Sequence, residues 1–488
     1  MSRSRARPLP FETEIVAIAS TGSGLGLDPR GKPVRVRWAA PHSRVLVQPG
    51  GKEKGEPAAQ RMATVRPAAG HVEARCASYR LCGGCKLQEV PTDEQRAWRH
   101  TVVQQAVLGS PAPDSSALAG VTVHPPVAAS PAWGYRNRIE LSFGARRYLN
   151  DADHRAQASI EGRFLGFHAA GRFDRIVDLD RCEIVDEDVN RLIAAARTAL
   201  LRDDGASVWD VRTQSGALKY LQLRHAPSTG ELLIALFTPV LPELEPEVER
   251  LADALFATPL ERTRLVGFEW VVDDGVADVA RGETRRTWGR PHLEERLGDA
   301  TFRISRTSFF QTSTEGANSL FTTVGEALGE GGTLLDLYCG AGSIGLFLAK
   351  RFDRIVGIEV VPEAVEDARH NARHSGIQAE FFAAKVEEVP ELLQGHPRPL
   401  RVVVDPPRAG LHPDAAKAIA ALDADTLVYV ACNPASLGRD RAVFEAAGWR
   451  LTDLWTVDLF PHTAHVEAVA RFVRRTSVSE PPTSGSPP

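Results

Sequence analysis

Residues 333–350 read TLLDLYCGAGSIGLFLAK. An apolar run of strand length ends at glycines 340, 342 and 345, and an apolar run of helical character follows. Glycines at a strand-to-helix turn permit a tight bend and let a ligand lie against the backbone. The same rhythm continues with RIVGIEV before EAVEDARHNARHSG, RVVVDPP before DAAKAIAAL, and TLVYVAC before LGRDRAVFEAAG. Alternating β and α segments predict an open, mostly parallel sheet wound on both faces over residues 301–475. Ligands of such a sheet bind at the carboxyl ends of its strands, so chemistry is expected there.

Upstream the pattern differs. Residues 11–70 hold short alternating runs, FETEIVAIAS, KPVRVRW, SRVLVQP and RMATVRP, separated by the turn-like TGSGLG and QPGGKEKGEP. These predict a small β-barrel. A helical stretch from Thr92 to Leu108 precedes the loop GSPAPDSSALAG. Residues 71–300 mix strands, such as YRNRIELSFG, YLQLRHA and ELLIALFT, with a clear helix after Asp186, which predicts an α+β central domain. The basic segment 1–10 and the Pro/Ser-rich segment 476–488 read as tails, the latter disordered.

With 488 residues, 43% apolar and 25% charged, the chain is a folded multidomain protein rather than a low-complexity one. Its net charge of −4 gives no global field for nucleic acid, so any RNA affinity must be local. No run is apolar and long enough for a signal peptide or a membrane span, which predicts a cytoplasmic protein without membrane contact. Six cysteines make no disulfide framework; in a reducing compartment clustered cysteines read as metal ligands or catalysts.

Four candidate groups follow from position. Glu359 ends the strand RIVGIE, where a carboxylate can accept both hydroxyls of an adenosine ribose. Asp405 lies in DPP at the end of the next strand, and Arg408 stands where amino-group methyltransferases carry an aromatic residue, which disfavours amino-group methylation. Cys432 ends TLVYVAC. A free cysteine is ordinarily a small buried hydrophobe, but this one sits at the ligand edge, and the following Asn-Pro predicts a rigid loop rather than a helix start. In DLFPHTAHVE, Glu467 is a candidate base with His462 and His465 as candidate orienters. A thiol and a base suit methylation at C5 of uracil. Addition of a thiolate to C6 makes C5 nucleophilic, and a base then removes the C5 proton.

The segments DLYCGAGSIGLFLA, VVVDPPRAGL, ACNPASLGRD and DLFPHTAHVEAVA closely resemble the RNA 5-methyluridine methyltransferase family. IASTGSGLGLDPRGKPVRVRW resembles the TRAM domain, an OB-like RNA-binding module common in these enzymes. The resemblance implies a multidomain α/β protein: an N-terminal OB-like barrel, an α+β centre and a C-terminal class I, Rossmann-like methyltransferase domain. It also implies S-adenosylmethionine contacts at Gln311, Tyr338, Gly340, Gly342, Glu359 and Asp405, with Cys432 as nucleophile and Glu467 as proton acceptor. Ala431 and Lys385 depart from the residues common at their positions, serine and asparagine, without removing a reacting group.

Cys76, Cys82 and Cys85 place three thiols on one loop, and Cys182 is the natural fourth because Cys339 and Cys432 belong to the methyltransferase motifs. Ligand softness alone suits zinc or an iron–sulfur cluster equally. The spacing resembles the [4Fe-4S] site of the 23S ribosomal RNA members, which the tRNA uridine-54 enzyme lacks. That tilts the expected substrate to 23S rRNA, with a structural [4Fe-4S] cluster and zinc as the lesser alternative. Between Trp133 and Tyr148, four arginines interleave with aromatics, a pattern that fits RNA contact or an ordinary strand. A monomer acting on RNA is expected. The rivals are a tRNA uridine-C5 enzyme, a cytosine enzyme, weakened by the lack of a cysteine near Asp405, and a non-catalytic RNA-binding iron–sulfur protein.

Overall fold

The computed structural model describes residues 8–109, 120–275, 280–389 and 398–474. Most of the basic N-terminal segment, most of the loop GSPAPDSSALAG and the Pro/Ser-rich segment 476–488 lie outside these residues. The chain forms two compact units that interleave along the sequence. One comprises Met1–Val102, Ala128–Ser319 and Asp458–His465; the other comprises Val103–Val127, Leu320–Val457 and Val466–Pro488.

The second unit is the predicted βα sheet. Its seven longer strands run in the order Glu380–Ala383, Arg354–Glu359, Thr333–Leu337, Leu400–Val404, Thr426–Ala431, Glu467–Arg474 and Trp449–Asp458, and two short strands, Thr122–Val123 and Val127–Ala128, pair with the last. The first five are mutually parallel, and Glu467–Arg474 pairs antiparallel with both of its neighbours. The interior strands are mostly apolar, as strands covered on both faces should be, with Asp336 a buried charged exception in the central one. Their core includes Leu335, Val404, Leu427, Tyr429, Phe444 and Phe472. The chain enters at the central strand Thr333–Leu337, builds outward on one side, then returns to Leu400–Val404 on the other. The crevice at such a reversal is where open α/β sheets bind ligands.

The first unit contains two sheets and a hairpin. Six strands between Phe11 and Arg66 enclose Ile15, Val34, Val36, Val45, Val47 and Ala59. The sheet's two ends, Phe11–Glu14 and Ala17–Ile18, are successive parts of one segment, so the sheet curls round this small core. The stretch TGSGLG is more than a turn: Gly24–Leu27 is a strand. A Cβ on Gly26 would lie 2.5 Å from Thr13 Oγ1, which explains the glycine in a strand position.

The central sheet has seven strands, with Tyr220–Ala226 and Glu231–Thr238 as predicted. Helices Glu187–Leu200 and Glu245–Ala257 contribute Leu192, Ile193, Leu251 and Leu255 to the same core as Leu221, Phe268 and Trp270. Asp186 caps the first helix by accepting from Asp188 N. The second helix supplies the crossover between the parallel strands Glu231–Thr238 and Arg264–Val272.

Candidate active site

The glycine turn is fastened by two carboxylates. Asp336, fully buried in the central strand, accepts from Gly345 N at 2.8 Å, and its second oxygen has no partner. Burial pushes its carboxyl up to about 7. Glu359 accepts from Gly340 N at 3.2 Å and from Val360 N and Val361 N at 2.8 and 2.9 Å. Gly342 has φ +81° at the start of the helix Ser343–Phe347, and a Cβ there would sit 2.9 Å from Phe381. A Cβ on Gly340 would meet nothing within 4 Å, so the turn's backbone borders open space. Tyr338, with φ +60°, starts this turn. The open glycine backbone, the strand-end carboxylate and the orphaned Asp336 oxygen fit an adenosine-bearing donor.

Cys432 and Glu467 are brought together by strand register. Thr426–Ala431 and Glu467–Arg474 pair antiparallel with Ala431 opposite Ala468, so one further step sets Cys432 level with Glu467. Asp405 follows the parallel neighbour Leu400–Val404, and its N–H donates to Leu337 O. Both carboxylates act electrostatically on the thiol. Burial first, then Glu467 and Asp405, push the Cys432 thiol up to about 11, with Arg408 opposing them. Glu467, 4% exposed, is raised well above the usual carboxylate range by burial and by Asp405. Burial lifts Asp405 to about 7.

Asn-Pro after the cysteine does begin a helix, contrary to the sequence expectation. Asn433 is the N-cap and Pro434 the first residue of Pro434–Ala446, where proline's missing N–H costs nothing. Cys432 is therefore held at a strand-to-helix junction. Asn433 Nδ2 donates to Arg408 O at 3.1 Å, tying the DPP loop to that junction. Buried Asp440 adds a second tie, accepting from Leu411 N and from the Tyr429 hydroxyl. Arg408 is a site residue that sequence reasoning noted only for not being aromatic, yet it is the cation acting on both Cys432 and Glu467.

Other candidates fall in the first unit. Gln311 accepts there from Asn137 Nδ2 through its backbone carbonyl at 3.0 Å. His462 is no orienter of Glu467. Its ring stacks on Trp133 at 4.0 Å, its Nδ1 lies 3.2 Å from Gln95 Nε2, and its N–H donates to Gln95 Oε1. Burial lowers its pKa to about 4, so it is a neutral fastening group. Arg99, fully buried, holds the same loop through the carbonyls of Phe460, Thr463 and His465. In the Trp133–Tyr148 segment, Tyr135 and Phe143 are core residues, and Arg146 pairs with Glu161. Much of that alternation is therefore strand packing.

All six cysteines are free thiols. Cys76, Cys82, Cys85 and Cys182 lie close enough to raise one another's pKa values: Cys85 feels the other three, and Cys182 feels Cys82 and Cys76. Burial is the larger cause, lifting Cys85 to about 12 and Cys182 to about 11. Asn190 fixes the Cys182 backbone with two hydrogen bonds, and Gln88 Oε1 accepts from Cys76 N. Among the described residues no three His, Cys, Asp or Glu side chains are arranged to hold a single metal ion. A lone zinc, whose tetrahedral ligands must converge on one centre, is therefore not supported.

Comparison with known proteins agrees with this geometry. Residues 290–475 match the family model described as tRNA (Uracil-5-)-methyltransferase. An uncharacterized RNA methyltransferase of Chlorobaculum tepidum is 35% identical over 83% of each chain. The tRNA (uracil(54)-C(5))-methyltransferase of Pyrococcus horikoshii is 32% identical over 90% of this chain and 95% of its own. The crystal structure of the corresponding Pyrococcus abyssi enzyme, in complex with S-adenosyl-L-homocysteine, covers 95% of this chain and 100% of its own at TM-score 0.73 and 28% identity. The chain belongs to the family of S-adenosylmethionine-dependent RNA uracil-5-methyltransferases.

Proposed function

We propose that this enzyme methylates C5 of a uridine in 23S rRNA, with Cys432 as nucleophile and Glu467 as base. The observation that carries the reading is the antiparallel register that sets Cys432 level with Glu467, beside Asp405 and Arg408. The Cys432 thiolate adds to C6 of uracil, and the displaced electron pair makes C5 nucleophilic. Once C5 carries the methyl group, Glu467 takes the C5 proton and the thiolate departs, restoring the ring. S-adenosylmethionine supplies the methyl group on a positively charged sulfur. Tyr338, Gly340, Gly342, Glu359 and Asp405 are the residues of the sheet edge that would hold it. A carboxylate whose burial raises its pKa is a better base toward a carbon acid than a free one.

In this reading the curled N-terminal sheet is a TRAM-type RNA-binding module, and Cys76, Cys82, Cys85 and Cys182 hold a [4Fe-4S] cluster that fixes the Cys76 loop. No step of methyl transfer consumes an electron, so the cluster's role is structural. The cysteine spacing supports ribosomal RNA as substrate. A second reading, tRNA, is favoured by likeness to the two archaeal tRNA enzymes over nearly the whole chain.

The test uses methyl-labelled S-adenosylmethionine with separated 23S rRNA and tRNA from cells lacking the gene. Label in 5-methyluridine of 23S rRNA is the expected result. Label in tRNA alone establishes the second reading, and label in cytosine overturns both.

A further inference from the structure

The first unit contains a cavity of about 470 Å³ that none of the chemistry above uses. That is the size of a small-molecule site. Its wall includes His225, near the end of the strand Tyr220–Ala226. The His225 backbone is committed, its N–H donating to Asn137 O at 2.8 Å. The side chain is not. His225 is 8% exposed, and its Nδ1 has no hydrogen-bond partner. Buried polar atoms are almost always paired, so an orphan on a cavity wall marks a place where a ligand can supply the missing bond.

The charges on the wall narrow the ligand's chemistry. Arg75, Arg181 and Arg262 face the carboxylates Glu183, Asp186, Glu187 and Glu315. Arg75 pairs with Glu183 at 2.7 Å, Arg181 with Glu183 and Glu187 at 2.8 and 2.9 Å, and Arg262 with Asp186 at 2.6 Å. Three guanidiniums against four carboxylates leave no surplus positive charge for a phosphate. What remains is a lining of paired donors and acceptors, matched to a neutral group that carries both. Trp133 adds an aromatic wall, held in place by its stack on His462.

We propose that this cavity binds an unpaired base of the RNA substrate, separate from the uridine that meets Cys432. Carboxylates accept from an exocyclic amino group, guanidiniums donate to ring acceptors, and aromatic faces support bases. The fourth carboxylate leaves the lining with a surplus of acceptors, which favours a base with an exocyclic amino group, adenine, cytosine or guanine, over uracil with its single N3–H. The proposal rests on the RNA reading of the protein, and it gives the substrate an anchor whose specificity is independent of the methylated residue.

The test has two arms on the full chain. Histidine-¹⁵N spectra are recorded with each of the four free nucleosides and with inorganic phosphate, the His225 signals being assigned from His225→Phe. Affinity for bulk rRNA and tRNA is measured for wild type, His225→Phe and Glu187→Gln, with S-adenosylhomocysteine binding as the control. Glu187 is half exposed at a helix start, so its variant keeps the test open should His225→Phe fail to fold. An amino-bearing nucleoside should shift the His225 signals while uridine and phosphate do not. Each folded variant should lose about fivefold in RNA affinity with cofactor binding unchanged. No nucleoside response, a response to phosphate alone, or unaltered RNA affinity in the folded variants overturns the proposal. If wild type methylates no RNA while nucleosides still shift His225, the functional reading fails and the base pocket stands.

Discussion

Cys432 and Cys85 are both thiols that burial holds protonated, at about 11 and about 12, but their neighbours differ in kind. Around Cys432 stand two carboxylates, which can exchange protons with a substrate, and one guanidinium, which favours the thiolate. Around Cys85 stand three more thiols, which can do little for one another except share a cation. Burial alone would give both the same fate. The difference teaches that a cysteine's use is read from the chemistry of its neighbours, since its own depressed acidity does not distinguish nucleophile from ligand.

The sharpest way to break that contrast is to remove each thiol. Cys432→Ala should lower methyl transfer by at least about 10⁴-fold while leaving iron content unchanged, as expected for loss of a nucleophile. Iron loss in this variant would erase the distinction. Glu467→Gln should slow turnover by roughly 10²–10⁴-fold, and protein joined covalently to RNA should accumulate on denaturing gels because the C5 proton has no acceptor.

The pH profile comes next. Burial, Glu467 and Asp405 push the Cys432 thiol up to about 11, so it holds its proton at neutrality and must lose it to act. kcat/KM should therefore climb with pH above 7, by about tenfold per unit while one ionisation limits the rate. A profile that falls over pH 7–9 in stable enzyme would contradict the resting state described.

Cys182→Ser should release iron and acid-labile sulfide from anaerobically purified protein, yet cost folded enzyme less than about tenfold in activity, since the ligand's contribution is to structure. The smallest effect is expected from Arg408→Gln. An exposed cation beside the thiol contributes modestly, so a loss of about threefold is expected, with the rising limb of the pH profile displaced to higher pH.

The methyltransferase sheet was legible because each strand and helix carries its own period and its own stop. Thr333–Leu337, Arg354–Glu359 and Thr426–Ala431 all lie within runs apolar enough to read without a partner. Cys432 and Glu467 were legible as sheet-edge residues, but their alignment depends on a pairing that no local pattern states. Gly24–Leu27 was read as a turn because glycine is a turn residue; the close approach of Thr13 that requires it is a long-range fact. The helix Glu245–Ala257 was passed over although Val248, Leu251, Ala252 and Leu255 follow helical spacing, a signal that periodicity alone offers. His462 reads as a candidate orienter from its place near Glu467 in sequence. Its partners Gln95 and Trp133 lie more than 300 positions away, and only folding assigns its loop to the other unit.

The account turns on a covalent bond between Cys432 and the target uridine. RNA containing 5-fluorouridine tests it directly, because fluorine at C5 cannot be removed as a proton and the adduct is trapped after methyl transfer. Incubated with S-adenosylmethionine and such RNA, the enzyme should give a denaturation-resistant complex whose peptide mass places the nucleotide on Cys432, and Cys432→Ala should give none. A preparation that methylates ordinary RNA but forms no adduct with the fluorinated substrate, or forms it at another residue, would contradict the mechanism.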